Sequence, residues 1–143
     1  MAVSDQTFSI TYHDVEVRSL LSQLQAQVQN LRPAMLDIGE ASLLMTDQGF
    51  EREHDPNGIA WKPLSAKTLE WKTENRRILR ILQSTGRLRA SITYQASDDR
   101  VVIGTNAKYA RKLMRDRIFL GVGTALRTET LNILQDHIEE ALL

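Results

Sequence analysis

Residues 91–105 read SITYQASDDRVVIGT, and how they are read decides the fold. On either side of Asp98-Asp99 the chain alternates or runs apolar with β-branched and aromatic residues, which predicts a β-hairpin turned at the two aspartates. Paired acids in that place serve turn geometry more simply than they serve a divalent metal. Helix-spaced sequence flanks the hairpin on both sides, so strands and helices belong to one α+β unit.

Upstream, Ser65 is placed to cap a helix running from Ala66 to about Gln83, with a candidate break near Asn75. Thr85-Gly86 stops it, because glycine adopts positive φ without the clash a Cβ brings. Before that helix lies DPNGIAWKPLS, residues 55–65. Asp55, Pro56 and Gly58 give it the composition of a tight turn, and Pro63 restrains the approach to the helix. Trp61 has two readings, as an anchor of this loop to its own core or as an anchor in a contact with another chain.

At the N-terminal end, Thr7–Tyr12 alternates Phe8, Ile10 and Tyr12 with polar residues and predicts a short strand with one buried face. Asp14 caps a helix whose Val17, Leu20, Leu21, Leu24, Val28 and Leu31 form one stripe. Pro33 cannot continue that helix but suits the first turn of the next, which runs to about Glu51 with Met35, Ile38 and Met45 in line. Two helices so joined most simply form a hairpin. Downstream, Ala107 to about Met114 is a short helical segment and Arg117–Gly121 a short strand or strap. Leu120–Gly123, LGVG, reads as a flexible entry to a last helix capped by Thr124, with Leu131, Leu134, Ile138 and Leu142 on one face. The expected architecture is a single domain over residues 1–143. It is α+β, with a small, mostly antiparallel sheet of three to four strands packed by helices, a long N-terminal helical hairpin and a C-terminal helix.

A chain of 143 residues fits one core, since single domains span about 100–200 residues. Its 42% hydrophobic and 25% charged content is that of a globular protein, which sets disorder aside. With no cysteine there is no disulfide and no thiolate metal site. The opening MAVSDQTFSITYHD carries acids and no long apolar run, so it is no secretory signal, and no stretch of about 18 apolar residues predicts a membrane span. A soluble chain is expected.

A formal net charge of zero hides strong segregation. Residues 1–60 hold three arginines against nine acids, a net −6, whereas residues 61–120 hold fourteen lysines and arginines against five acids, a net +9. Residues 121–143 return to −3, with one arginine against four acids. Such a division suits a polyanion partner or a neighbour whose acidic side meets this basic side, and both readings stand. Within the basic segment, Arg76 and Arg80 fall four apart on the predicted helix while Arg77 points elsewhere, and Arg87 and Arg89 follow.

Catalytic chemistry has no visible constellation. His13, His54 and His137 lie in unrelated segments without zinc spacing, and IGTNAKYA lacks the spaced glycines of a phosphate loop. The expectation is a protein that is no enzyme, with no catalytic residues, no metal, no cofactor and no small-molecule substrate.

Read together, FEREHDPNGIAWKPLSAKTLEWK (50–72), ILQSTGRLRASI (81–92), VVIGTNAKYA (101–110) and RIFLG (117–121) resemble, in order and spacing, the phage virion morphogenesis family. These are the tail completion proteins of Mu-like and related contractile-tailed phages. Such proteins usually carry a His-Gln loop and a Pro-Ala-Arg stretch after the Tyr-Ala pair, and here Tyr109-Ala110-Arg111 runs almost directly to Arg117.

The resemblance implies a structural role, completing or terminating the tail at its head-proximal end and joining it to the neck. It implies a homo-oligomeric ring, a hexamer being one candidate size, built against tail tube and sheath or neck proteins. It places the protein in the host cytoplasm during assembly and then in the virion, with a passing contact to genome DNA and none to membrane. Interface candidates are Trp61, Arg76, Arg77, Arg80, Arg87, Arg89, Tyr109, Arg111, Arg115, Arg117 and Phe119. The alternative is a nucleic-acid-binding module that uses the basic 61–120 segment, although no helix-turn-helix, RNA-binding sheet or zinc-finger pattern accompanies it.

Overall fold

The computed structural model describes residues 8–11, 14–27 and 31–141. Along the chain it places β1 (Phe8–Thr11), α1 (Val15–Gln27), α2 (Arg32–Arg52), α3 (Ala66–Glu74), α4 (Arg87–Ser91), β2 (Thr93–Ala96), β3 (Val101–Thr105), α5 (Ala110–Asp116) and α6 (Thr124–Ala141). Helices and a small antiparallel sheet are mixed as the α+β reading requires. The strands lie in the order β1-β3-β2, with Ile103 opposite Tyr94 on one side and Ile10 on the other. His13, Tyr12, Val28 and Leu142, and the buried face expected of the first strand, lie outside the described residues.

Helix α1 starts where its cap predicts. The Asp14 carboxylate accepts from the Glu16 and Val17 amides at 2.9 and 3.2 Å, satisfying donors that a first helical turn leaves free. The expected N-terminal hairpin is corrected in one respect: α1 packs on α6, and α2 packs on α6 and on the sheet strands β2 and β3. Val17, Leu31, Met35 and Ile38 meet Leu134 in that layer, and Arg127 of α6 ties back to Asp14 and Glu16.

Helix α2 is the shared spine. Its first half belongs to this helical layer, while Phe50 at its far end belongs to a second core with Trp61, Ile81, Leu88, Ile92, Ile103, Phe119 and Leu120. Its middle lies against β2 and β3, close enough that the Tyr94 ring occupies the space a Cβ on Gly39 would need.

Three element boundaries differ from expectation. Helix α3 stops at Glu74, at the candidate break near Asn75, and does not resume toward Gln83. The Arg77 amide donates to the Lys72 carbonyl at 2.8 Å and the Arg76 amide to Thr73 at 3.3 Å, with Arg76 at φ 54. That closure places a left-handed residue just past the helix end and turns the chain away. Gly86, at φ 80, then opens α4 where a helix stop was expected, and the first hairpin strand starts at Thr93 because Ser91 ends α4. Arg117–Gly121 is an extended strap outside the sheet.

Candidate functional site

The turn at 55–58 is built by Asp55. Its carboxylate accepts from the amides of Asn57 (2.8 Å) and Ile59 (2.9 Å), and its carbonyl accepts from Gly58, which sits at φ 81. The Asp55 amide donates back to the Ile59 carbonyl at 2.8 Å and the Trp61 amide to Glu53 at 2.9 Å, so the loop closes on the end of α2. Trp61 is thereby delivered into the second core, where it is 6% exposed. Its ring meets Phe50 edge to face at 5.5 Å, and Phe50 meets Phe119 at 5.7 Å. Trp61 Nε1 donates to the Ile118 carbonyl at 2.8 Å, which fixes the strap to the loop. Arg117 adds two bonds from its guanidinium to the carbonyls of Lys62 (2.7 Å) and Pro63 (3.1 Å).

Of the two readings of Trp61, the structure carries the anchor to its own core. As candidates for outside contact, Trp61 and Phe119 are corrected, since both rings are buried inside the chain. The reading of LGVG as a flexible entry is corrected too. Gly121 and Gly123 face Pro56, and at Gly123 the Pro56 carbonyl leaves no room for a Cβ. Glycine is needed there for close backbone approach.

The basic cluster divides into two jobs. Helix α2 ends with carbonyls that have no partner within the helix. The Glu53 and His54 amides take the Gly49 carbonyl, Gln83 Nε2 takes Phe50 at 3.1 Å, and Arg80 takes Glu51. Arg89 grips Asp47 through Nε at 2.6 Å and Nη2 at 3.0 Å, and reaches Glu51 at 3.0 Å. The paired guanidinium holds the Asp47 carboxyl below its ordinary range, and Arg89 is raised in turn. Arg80, Arg89 and Arg117 are therefore internal ties. Arg76 and Arg80 do not share a helix face, because Arg76 sits in the closing turn beyond α3.

Arg76, Arg77, Arg87, Arg111 and Arg115 are exposed, and among the described residues no ion pair holds them. Tyr109 is exposed beside Arg111 at the start of α5. Beside Arg76 and Arg77 the structure sets residues that sequence reasoning missed: Trp71 at 50% exposure, Leu79 at 51%, and Ile78. The Arg77 guanidinium stands 6.0 Å from the Trp71 ring centre. Their signal was available only in hindsight, since apolar residues on a helix that ended at Gln83 would have been assigned to its buried stripe.

Lys72 is buried, with Nζ donating to the Arg80 carbonyl at 2.9 Å. Burial pushes its ammonium below the ordinary lysine range, Arg117 adds to this, and Glu53 opposes it. Its contact ties Arg80 back to α3. Among the described residues no group of three His, Asp or Glu is placed to hold a metal ion, and no helix is long and apolar enough to cross a membrane.

A comparison with curated proteins and one with solved structures gave no match. A comparison with protein families did. The matched residues take in α1 to α4, the sheet strands β2 and β3, the 55–58 turn, Trp61 and the basic edge, and stop before the strap and α6. With residues 13–112 fitting that family's pattern, the chain belongs to the phage virion morphogenesis family.

Proposed function

We propose that the chain is a tail-completion subunit, repeated as a ring at the head-proximal end of a phage tail and joining that tail to the neck. The family is structural and implies association with the virion. The observation that carries the finer reading is the family match over residues 13–112, which includes both the rigid turn and the exposed basic edge. The site suits assembly work. Its aromatic cluster fixes a surface shape, and its unpaired arginines stand outside that cluster, free to meet acidic surfaces of tail tube, sheath or neck proteins. Assembly in the host cytoplasm followed by incorporation in the virion fits this role, with six copies a candidate ring size.

Light scattering on the purified protein, followed by co-sedimentation with tail tubes, tests the reading. A closed oligomer that pellets with tubes is expected. A monomer that never joins tails at any concentration overturns it.

A second reading, contact with nucleic acid, is favoured by the exposed Trp71–Arg77 pair among unpaired cations. Direct phosphate contacts predict affinity that falls steeply with salt, at a log–log slope near −0.9 per phosphate neutralised. No binding to duplex or single strands at about 50 mM salt removes it.

A further inference from the structure

We infer that the Trp71–Leu79 edge of one copy seats on a cleft beside α2 of the next copy, a head-to-tail contact that makes the ring. The inference rests on the ring reading above and names the two surfaces it needs.

The edge is held by three bonds. The Lys72–Arg80 bond clamps residues 72 and 80 together, the Ile78 amide donates to the Ser84 carbonyl at 3.0 Å, and the Arg80 guanidinium holds Glu51. What remains outside is Trp71, Ile78 and Leu79, flanked by Arg76 and Arg77. Tryptophan and arginine are the residues most enriched in interface centres, and large apolar side chains exposed together mark a surface that is covered in use.

The cleft lies on the other side of Glu51, whose carbonyl takes Arg80 and whose carboxylate takes Arg89. Leu36, Glu40 and Leu44 follow at four-residue steps along the outer face of α2, with Leu44 59% exposed. Beside them opens a hollow of about 360 Å³ with Leu43, Phe50 and Ile92 in its lining. Its polar rim is Glu40, Asp47 and Arg89. Arg89 is already taken by Asp47 and Glu51, so one guanidinium faces two carboxylates, and Glu40, bonded by the neutral Tyr94 hydroxyl at 2.6 Å, adds another negative charge. The rim is net acidic and its lining apolar. The edge is net basic and its tip apolar. Charge complementarity therefore selects a second copy of this chain as the occupant. Used once by each copy in turn, an edge-on-cleft contact is heterologous and generates a ring when the rotation closes, whereas reciprocal use about a two-fold axis would stop at a dimer.

The chain has no cysteine, so introduced thiols report the contact without background. Leu44→Cys and Leu79→Cys alter exposed side chains and leave both cores intact. Mixing the two single variants under mild oxidation is expected to give a disulfide-linked dimer that neither variant gives alone. The double variant is expected to give a ladder ending at the ring size. Arg76→Glu with Arg77→Glu is expected to weaken association by about tenfold or more while the thermal unfolding midpoint of the dissociated protein holds.

An oligomer without the mixed cross-link, or a double variant that stops at dimer, overturns the inference and leaves the ring reading standing. A full ladder in a protein that never joins tails supports the contact and removes the tail role instead.

Discussion

Gly123 and Pro56 touch backbone to backbone: the Pro56 carbonyl fills the space where any larger residue at 123 would carry its Cβ. This contact joins the tight turn after α2 to the entrance of α6, two segments far apart in sequence. Gly123→Ala must therefore push the turn away from the helix. A loss of about 1–3 kcal/mol is expected, the range for overpacking a tight site. Urea unfolding at fixed protein concentration measures it. Unchanged stability would mean that the turn and helix entry move apart freely.

Trp61 makes the same point from the core side. Trp61→Ala empties the site against Phe50 and should cost about 3–5 kcal/mol. Trp61→Phe keeps an aromatic ring but leaves the Ile118 carbonyl, now bonded to Nε1, without its partner, for about 1–3 kcal/mol. Urea midpoints rank the three proteins. Were Trp61 an outside anchor, these variants would weaken association and leave the midpoints alone.

Legibility in the sequence follows the range of the interaction. The Asp14 cap, the Asp98-Asp99 hairpin and the Asp55 turn were readable because each is settled within a few residues. The end of α3 showed only as a candidate break near Asn75, because Arg76 takes the left-handed position where a glycine would have marked a full stop. The fates of Arg80 and Arg89 were hidden for another reason. Their partners, Glu51 and Asp47, lie on α2 dozens of residues earlier, and no local pattern pairs them. The exposed Trp71 edge was lost with the same helix end. Glycines 121 and 123 suggested flexibility because their neighbour, Pro56, is distant in the chain.

Two positive-φ positions give opposite expectations. At Gly86, φ is 80 and a Cβ would meet nothing closer than Ile78 at 3.9 Å, so the cost of Gly86→Val is backbone strain alone, about 1–3 kcal/mol. Gly86→Asn should cost less, since asparagine tolerates that region. At Arg76, φ is 54, and Arg76→Gly should leave stability unchanged or raise it by up to about 1 kcal/mol. Arg77→Gly serves as the control and should lower it. Thermal unfolding of the four variants at one concentration decides the signs.

Acid should loosen the molecule through Asp47 and Asp14. The bidentate bond from Arg89 holds the Asp47 carboxyl below its ordinary value of 3.8, and the bond from Arg127 does so for Asp14, helped by the Val17 and Glu16 amides. In both cases the unfolded chain takes up protons first as pH drops. The stabilisation is therefore present above about pH 4 and is lost as pH falls through the lowered folded values. Asp47 is more than half exposed, so its share is that of a solvent-screened pair. The expected result is a thermal midpoint that is steady from pH 7 to 5 and falls between pH 4 and 2. Asp47→Asn should lower the midpoint at pH 7, and that gap to wild type should narrow as pH falls below about 4. A gap that stays constant across this range would assign the loss to packing around residue 47, with its charge contributing nothing.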